Sequence, residues 1–264
     1  MNLLSYNILG GFHFDEIRKN LDFEKYDVIC FQEFPMDCSI DKYFTNFHIN
    51  KHTTLILKKQ QKELGLALLY KKDKYNLSEY KRIELIKPPM KFIFRQYLKM
   101  VVSDDNSKNR TIKCYELTNL GNIEKYLMVN THLYWEGNID YLNYQLNEIL
   151  NTIGDYEGKI ILCGDLNTTN DKKRKFLKKF FNSNGFTETK KNQKGTFEYF
   201  TKFNLPKDPF HKTKKLFSKI PPIRKLGTKE FDYIFLKNLN CEVNVFVQKI
   251  NGSDHFPLTI NIPA

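Results

Sequence analysis

Apolar positions in this chain fall into short runs rich in β-branched and aromatic residues, and helical periodicity fills some of the gaps between them. The runs LLSYNIL (3–9), DVICFQEF (27–34), LGLALLY (64–70), KYLMVNTHL (125–133), KIILCGDLN (159–167), FDYIFL (231–236), EVNVFVQKI (242–250) and PLTINI (257–262) predict strands. Helices are expected over Phe14–Asp22, over Asn138–Ile153 and over Asp171–Asn182. In the second, Leu142, Leu146, Ile149 and Leu150 share one face; in the third, Phe176, Leu177, Phe180 and Phe181 do. Strands outnumber helices, and several follow one another without a helical crossover. That order predicts a mixed-sheet sandwich flanked by helices, not a parallel doubly wound sheet. No internal repeat and no Pro/Gly/Ser-rich linker divides the chain, so residues 1–264 read as a single domain. Pro206, Pro209, Pro221 and Pro222 punctuate residues 200–228, which are expected to form a long surface loop. Rim loops are expected mainly over 35–62, 103–124 and 183–229.

Composition sharpens this picture in a few respects. With 41% hydrophobic and 27% charged residues the chain is expected to fold around a sizeable core. No apolar run approaches the roughly 20 residues of a membrane helix. The N-terminal MNLLSYN lacks the basic and extended apolar regions of a secretory leader. Cys30, Cys38, Cys114, Cys163 and Cys241 are odd in number, widely spaced and without a CxxC pair, which argues against a disulfide framework or structural zinc. An intracellular protein, cytoplasmic or nuclear, and a monomer, is expected.

Charge is concentrated. Residues 171–230 hold 18 Lys and Arg against 5 Asp and Glu, while the whole chain has a net charge of +12, so the remainder is close to neutral. One basic segment on a neutral body suggests a face for a polyanion. Lys, Asn, Ile, Phe and Tyr are frequent throughout, so charge by itself identifies no partner.

Candidate chemistry sits at strand ends. Asn7 lies near the end of the first run, Glu33 ends VICFQE, Asn130 and His132 end YLMVNTH, and Asp165 and Asn167 end IILCGDLN. Asp232 opens FDYIF, and Asp254 and His255 precede the last strand. One such residue is an ordinary turn or cap; six sites with complementary chemistry are not. Glu33, Asp254 and Asn7 offer hard oxygen ligands suited to Mg²⁺ or Mn²⁺ and poor for zinc. Asp165 is placed to orient or deprotonate a water, with Asn167 fixing its direction. His132 and His255 are donors to a phosphate oxygen, and Asp232 is a partner that keeps one imidazole charged. Together they suit metal-assisted hydrolysis of a phosphate ester.

The motifs SYNILGG (5–11), FQE (31–33), NTHL (130–133), GDLN (164–167), FDYIF (231–235) and GSDHFPL (252–258) resemble, in order, those of the endonuclease/exonuclease/phosphatase superfamily, the DNase-I-like fold. The resemblance spans nearly the whole chain. It implies a four-layered α/β sandwich of two mixed β-sheets with helices outside and the active site at the strand-end rim. It implies Glu33 as main metal ligand, supported by Asn7 and Asp254, with Mg²⁺ (or Mn²⁺) as cofactor. It further implies Asp165 as the residue that aligns or activates water, Asn167 at the scissile phosphate, His255 paired with Asp232, and His132 on the other side of the phosphate.

Departures narrow the branch. Leu9 stands where apurinic endonucleases carry an acid, Glu230 and Phe231 precede Asp232 in place of Arg and an apolar residue, and Thr168 and Thr169 replace the aromatic-Arg signature of inositol polyphosphate 5-phosphatases. NTHL, GDLN and SDHFPL look more like the mRNA deadenylase, tyrosyl-DNA phosphodiesterase and small bacterial or viral branches. In FIFRQYLKMVV (92–102) Arg95 is followed by Gln96, where related members often have Arg-Glu. Arg95, Asn130 and Trp135 are the expected substrate contacts, the first to phosphate and the last by stacking on a base. The expected activity is a metal-dependent phosphodiesterase on nucleic acid, RNA or DNA. The alternatives are a phosphatase or phospholipase on a phosphoinositide or sphingolipid, and a silent binding module. The module would be expected to have lost a metal carboxylate or the SDH histidine, and both are present.

Overall fold

The computed structural model describes residues 1–57, 62–86, 110–135, 137–193, 195–198, 228–239 and 243–263. Arg95, Cys241 and nearly all of the expected 200–228 loop lie outside these residues.

Two mixed sheets face each other. The first contains β1 (Asn2–Asn7), β2 (Val28–Pro35), β3 (Phe47–Leu57), β4 (Lys62–Lys71), β10 (Lys190–Lys191), β14 (Asn244–Val247) and β15 (Leu258–Asn261), in the order β10-β14-β15-β1-β2-β4-β3. The second contains β5 (Tyr75–Leu85), β6 (Arg110–Asn119), β7 (Lys125–His132), β8 (Lys159–Asp165), β9 (Thr187–Glu188) and β13 (Asp232–Lys237), in the order β5-β6-β7-β8-β13-β9. A two-stranded ladder pairs β11 (Phe197–Glu198) with β12 (Thr228–Lys229). Among the described residues the α-helices are α1 (Phe14–Asn20), α2 (Ile139–Ile153) and α3 (Asp171–Ser183).

Side-chain alternation along the central strands builds the layers. Leu3, Val28, Cys30 and Leu68 of the first sheet meet Tyr126, Met128, Ile161, Cys163 and Ile234 of the second in the inter-sheet core. Their neighbours Leu4, Ile29, Phe31 and Leu69 turn outward onto Phe14 and Ile17 of α1. On the far side, Leu127, Val129, Ile160 and Leu162 pack against Leu142, Leu146 and Ile149 of α2 and Leu177 and Phe181 of α3. Being buried on both faces is why these strands read as unbroken apolar runs. The result is the four-layered α/β sandwich expected from the sequence.

Both long helices begin on asparagine caps. Asn138 accepts from the Tyr141 amide at 3.0 Å and Asn170 from the Lys173 amide at 3.0 Å. β1 runs parallel to β2, and β7 parallel to β8. The C-terminal ends of all four therefore gather at one edge, and antiparallel β13 brings its N-terminal Asp232 opposite Asp165.

Seven strands among the described residues differ from the sequence reading, and four of them, β9, β10, β11 and β12, lie inside the stretch expected as a loop over 183–229. β3 lies inside the stretch expected as a loop over 35–62, β6 inside 103–124, and β5 had no expected element. β3 and β5 are sheet edges, and β6 lies one strand in from β5. Along β5 most positions between Asn76 and Arg82 are exposed or half-buried, so polar residues break the apolar run that marks central strands. Shorter adjustments occur at ends: α1 stops at Asn20, β8 at Asp165, and the strand expected over 242–250 covers only Asn244–Val247.

Candidate active site

Asn7 ends β1, His132 ends β7 and Asp165 ends β8, and His132 is the register partner of Asp165. This close approach needs Gly164, whose φ is +134° and where a Cβ would fall 1.9 Å from the Thr131 carbonyl oxygen. Glu33 reaches the same edge by a different device. The β2–β4 register shifts between Phe31 and Phe34, and Glu33 adopts a left-handed φ of 53° inside that bulge. Asn167, with φ 50°, is the second strained residue at the site.

The hydrogen bonds converge on Asp165, which is 1% exposed. Its Oδ1 accepts from the Asn167 amide at 2.9 Å, and its Oδ2 accepts from Asn7 Nδ2 at 3.1 Å. His132 Nε2 and His255 Nε2 stand 3.5 and 3.6 Å from that same Oδ2. Asp232 faces the other side of His255, with its two oxygens 3.1 and 3.0 Å from Nδ1. Ser253 Oγ donates to the Asn7 carbonyl at 2.8 Å and accepts from the His255 amide at 3.2 Å, tying the final motif to β1.

Two histidines in one site take opposite states. Burial alone would push His255 down, but the carboxylates of Asp232 and Asp165 override it and hold its imidazole up at about 10. Burial, with the Arg110 guanidinium and His255 beside it, drives His132 well below its ordinary value. His255 is therefore an imidazolium and His132 a neutral ring at pH 7. Burial raises Asp165, and Asp232 adds to it. Burial and then Asp254 raise Glu33.

The donor set fits a divalent cation. Glu33, Asp165, Asp232 and Asp254 crowd together against the charges of His255 and Arg110, and surplus buried negative charge of that kind calls for a counter-ion. Ligand atoms of Asp165, Asp232 and His255 lie within 4.8 Å of one another. His255 is held protonated by Asp232, so the carboxylate oxygens, Glu33 and Asp254 foremost, are the chemically suited ligands.

Two expected site residues make buried hydrogen bonds with their side chains. Asn7 Nδ2 donates to Glu33 Oε1 at 3.3 Å and to Asp165, and its Oδ1 accepts from the Leu9 amide at 3.1 Å. One lone pair of its oxygen is thus engaged, and its nitrogen spaces the two carboxylates. Asn130, expected to touch substrate, faces the opposite sheet. Its Nδ2 donates to the Phe31 and Ala67 carbonyls at 3.0 Å each, and its Oδ1 accepts from Gln32 Nε2 at 2.7 Å. Both of its N–H groups and one lone pair of its oxygen are spent between the sheets. Asn167 Nδ2 donates to the Leu133 carbonyl at 2.8 Å. Trp135, 36% exposed, lies three residues past His132, and its carbonyl accepts from Lys173 Nζ at 3.0 Å.

Arg110 is the charged residue the sequence reading passed over. It is 5% exposed, its Nη1 donates to the His132 and Leu133 carbonyls at 2.9 and 2.6 Å, and its guanidinium lies 4.5 Å over the Tyr134 ring. A lone arginine opening a strand carries no motif, and only the sheet brings it behind His132. Among the described residues of the basic segment, two groups of cations can be told apart. Arg174, Lys178 and Lys191 are spent around Glu230, with Lys191 Nζ 2.7 Å from its carboxylate. Lys172, Lys175 and Lys179 are exposed along α3.

Comparison with known proteins identifies the class to which this fold belongs. The chain belongs to the Endonuclease/Exonuclease/phosphatase family, whose model matches residues 4–255. Members of this family are generally hydrolases of phosphate esters and typically depend on a divalent metal. No curated protein matches the chain in sequence. Among solved structures, a functionally unknown conserved protein from Enterococcus faecalis is 20% identical with a TM-score of 0.66, covering 100% of both chains. A mannosyl-6-phosphatase from Bacteroides thetaiotaomicron is 15% identical with a TM-score of 0.64, again covering 100% of both. The human Nocturnin catalytic domain with bound sulfate is 16% identical with a TM-score of 0.62, covering 98% of this chain and 92% of that one. At these identities the likeness is one of fold.

Proposed function

We propose that this protein is a Mg²⁺- or Mn²⁺-dependent phosphodiesterase acting on nucleic acid, as a nuclease or as an enzyme that processes 5′ or 3′ ends of DNA or RNA. The observation that carries the reading is the convergence of Asp165 with His132, His255 and the Asp232 partner at the strand ends, beside the carboxylates of Glu33 and Asp254. Glu33 and Asp254 would hold the metal, which when bound supplies positive charge to the phosphate oxygens.

The protein's own residues account for the remaining chemistry. Asp165, its basicity raised by burial, accepts a proton from a water held in line with the phosphorus. Asn7 and the Asn167 amide fix its two oxygens so that the carboxylate cannot rotate away. His255, kept charged by Asp232, donates a hydrogen bond to a non-bridging oxygen as negative charge builds there. His132, neutral, contacts the phosphate from the other side.

Nucleic acid is favoured as substrate by the exposed lysines of α3, a helix that starts six residues after Asp165 and is tied to Trp135 through Lys173. Truncated Caenorhabditis elegans TDP2 and the endonuclease domain of the TRAS1 retrotransposon share the fold at TM-scores of 0.59 and 0.60, with 16% and 13% identity. The mannosyl-6-phosphatase of the same fold marks the competing reading, a small phosphate monoester.

The test is a Mg²⁺ assay on end-labelled single-stranded RNA, single-stranded DNA, duplex DNA and a 5′-tyrosyl oligonucleotide, with Asp165→Asn as control. Cleavage of any of them that is lost in the control and falls steeply with salt supports the proposal. If all four stay intact while a sugar phosphate is dephosphorylated, the substrate assignment is overturned.

A further inference from the structure

The pair Asp232–His255 is assembled from two separate segments, the start of β13 and the loop before β15. A third segment, residues 195–198, lies between them. Thr196 is fully buried, and its Oγ accepts hydrogen bonds from the Phe231 and Asp232 amides at 3.0 Å each. Its own amide donates to the Lys229 carbonyl at 2.7 Å. On the other side its carbonyl accepts from the Phe256 amide at 2.7 Å, the Glu198 amide donates to the Asp254 carbonyl at 2.8 Å, and Phe197 bridges to His255. One short stretch thus holds both partners by their backbones. The side chain of Thr196 is the part that reaches Asp232.

We propose that Thr196 is a positioning residue for the reaction, setting the distance and direction between the Asp232 carboxylate and the His255 imidazole. The inference rests on the reading of those two residues as part of the reacting centre. No side chain lies between Thr196 and the Asp232 amide, so the hydroxyl acts directly on the turn that aims the carboxylate. The Leu166 amide holds the same turn from the β8 side, through the Phe231 carbonyl at 2.8 Å. Removing the hydroxyl leaves two buried amides without their acceptor. The strand start then drifts toward whatever oxygen can satisfy them, and Asp232 moves with it.

Thr196→Val keeps the shape and deletes the acceptor; Thr196→Ser keeps the acceptor. With Mg²⁺ and bis(p-nitrophenyl) phosphate as probe, Thr196→Val should lower kcat about 10- to 100-fold with KM changed less than about 3-fold. Thr196→Ser should return kcat to within about 3-fold of the unsubstituted protein. In an Asp232→Asn background, Thr196→Val should cost less than about 2-fold more, because the alignment it protects has already lost its effect. Full kcat in Thr196→Val, or the same loss in both backgrounds, overturns the proposal.

Hydrogen exchange on the unsubstituted protein gives an answer that needs neither a folded variant nor an active enzyme. The Phe231 and Asp232 amides should exchange as slowly as those of Ile234 and Phe235, and fast exchange overturns the brace. If the unsubstituted protein cleaves no phosphodiester while those amides remain protected, the assignment of function fails and the brace stands.

Discussion

Asn130→Ala separates a strut from a substrate contact. In the folded protein the Asn130 carboxamide makes three buried hydrogen bonds, two to main-chain carbonyls of the opposite sheet and one from Gln32. Each contributes about 1 kcal/mol net, and the carbonyls of Phe31 and Ala67 lose this partner in the inter-sheet space. Gln32 Nε2 retains the Cys30 carbonyl at 3.2 Å, which limits the damage on that side. The expected loss is about 3 kcal/mol, a fall in Tm of about 5 °C for a chain of this length. Thermal unfolding followed by circular dichroism, in parallel with phosphodiester turnover, checks it. KM of the folded fraction should stay within about 2-fold, since the side chain faces the interior. An unchanged Tm with KM raised 10-fold or more would refute the argument and return Asn130 to the substrate.

Other outcomes follow from the same geometry. Asp165→Asn should lower turnover by at least about 10³-fold. Without divalent metal it should also raise Tm, because it removes one charge from a crowded carboxylate cluster, and a fall in Tm would contradict that electrostatic account. Gly164→Ala should cost about 3 kcal/mol or more in urea unfolding, because its Cβ meets a backbone oxygen at 1.9 Å. Gly185→Ala, whose nearest neighbour is the mobile end of Lys237 at 3.5 Å, should cost about 1 kcal/mol, and equal losses would contradict the packing argument. Asp27 caps β1 by accepting from the Asn2 amide at 2.8 Å and pairs with Lys74 at 2.8 Å. Burial alone would raise Asp27, but these partners hold it below its ordinary value. Its stabilisation is therefore present above about pH 4 and lost as pH falls through the lowered folded value. Asp27→Asn should be destabilised by about 1 kcal/mol at pH 7 and match the parent near pH 2, as acid-unfolding midpoints would show.

The sandwich was legible in the sequence because its central strands are buried on both faces and its helices carry one apolar stripe. Leu3 against Leu4, and Val28 and Cys30 against Ile29 and Phe31, already state which layer each side chain joins. Edge strands β3 and β5 were hidden for the converse reason: their solvated faces dilute the pattern with lysine, glutamate and asparagine. At the site, the types and order of Glu33, His132, Asp165, Asp232 and His255 follow from the motifs alone. Their division of labour does not, because it depends on contacts between residues up to 246 positions apart, as between Asn7 and Ser253. Only the packed sheets decide that Asn130 points inward, that Arg110 stands behind His132, that one histidine is charged and the other neutral, and that Thr196 supports Asp232. Hydrogen bonds and desolvation act over a few ångströms, and those distances are set by tertiary structure.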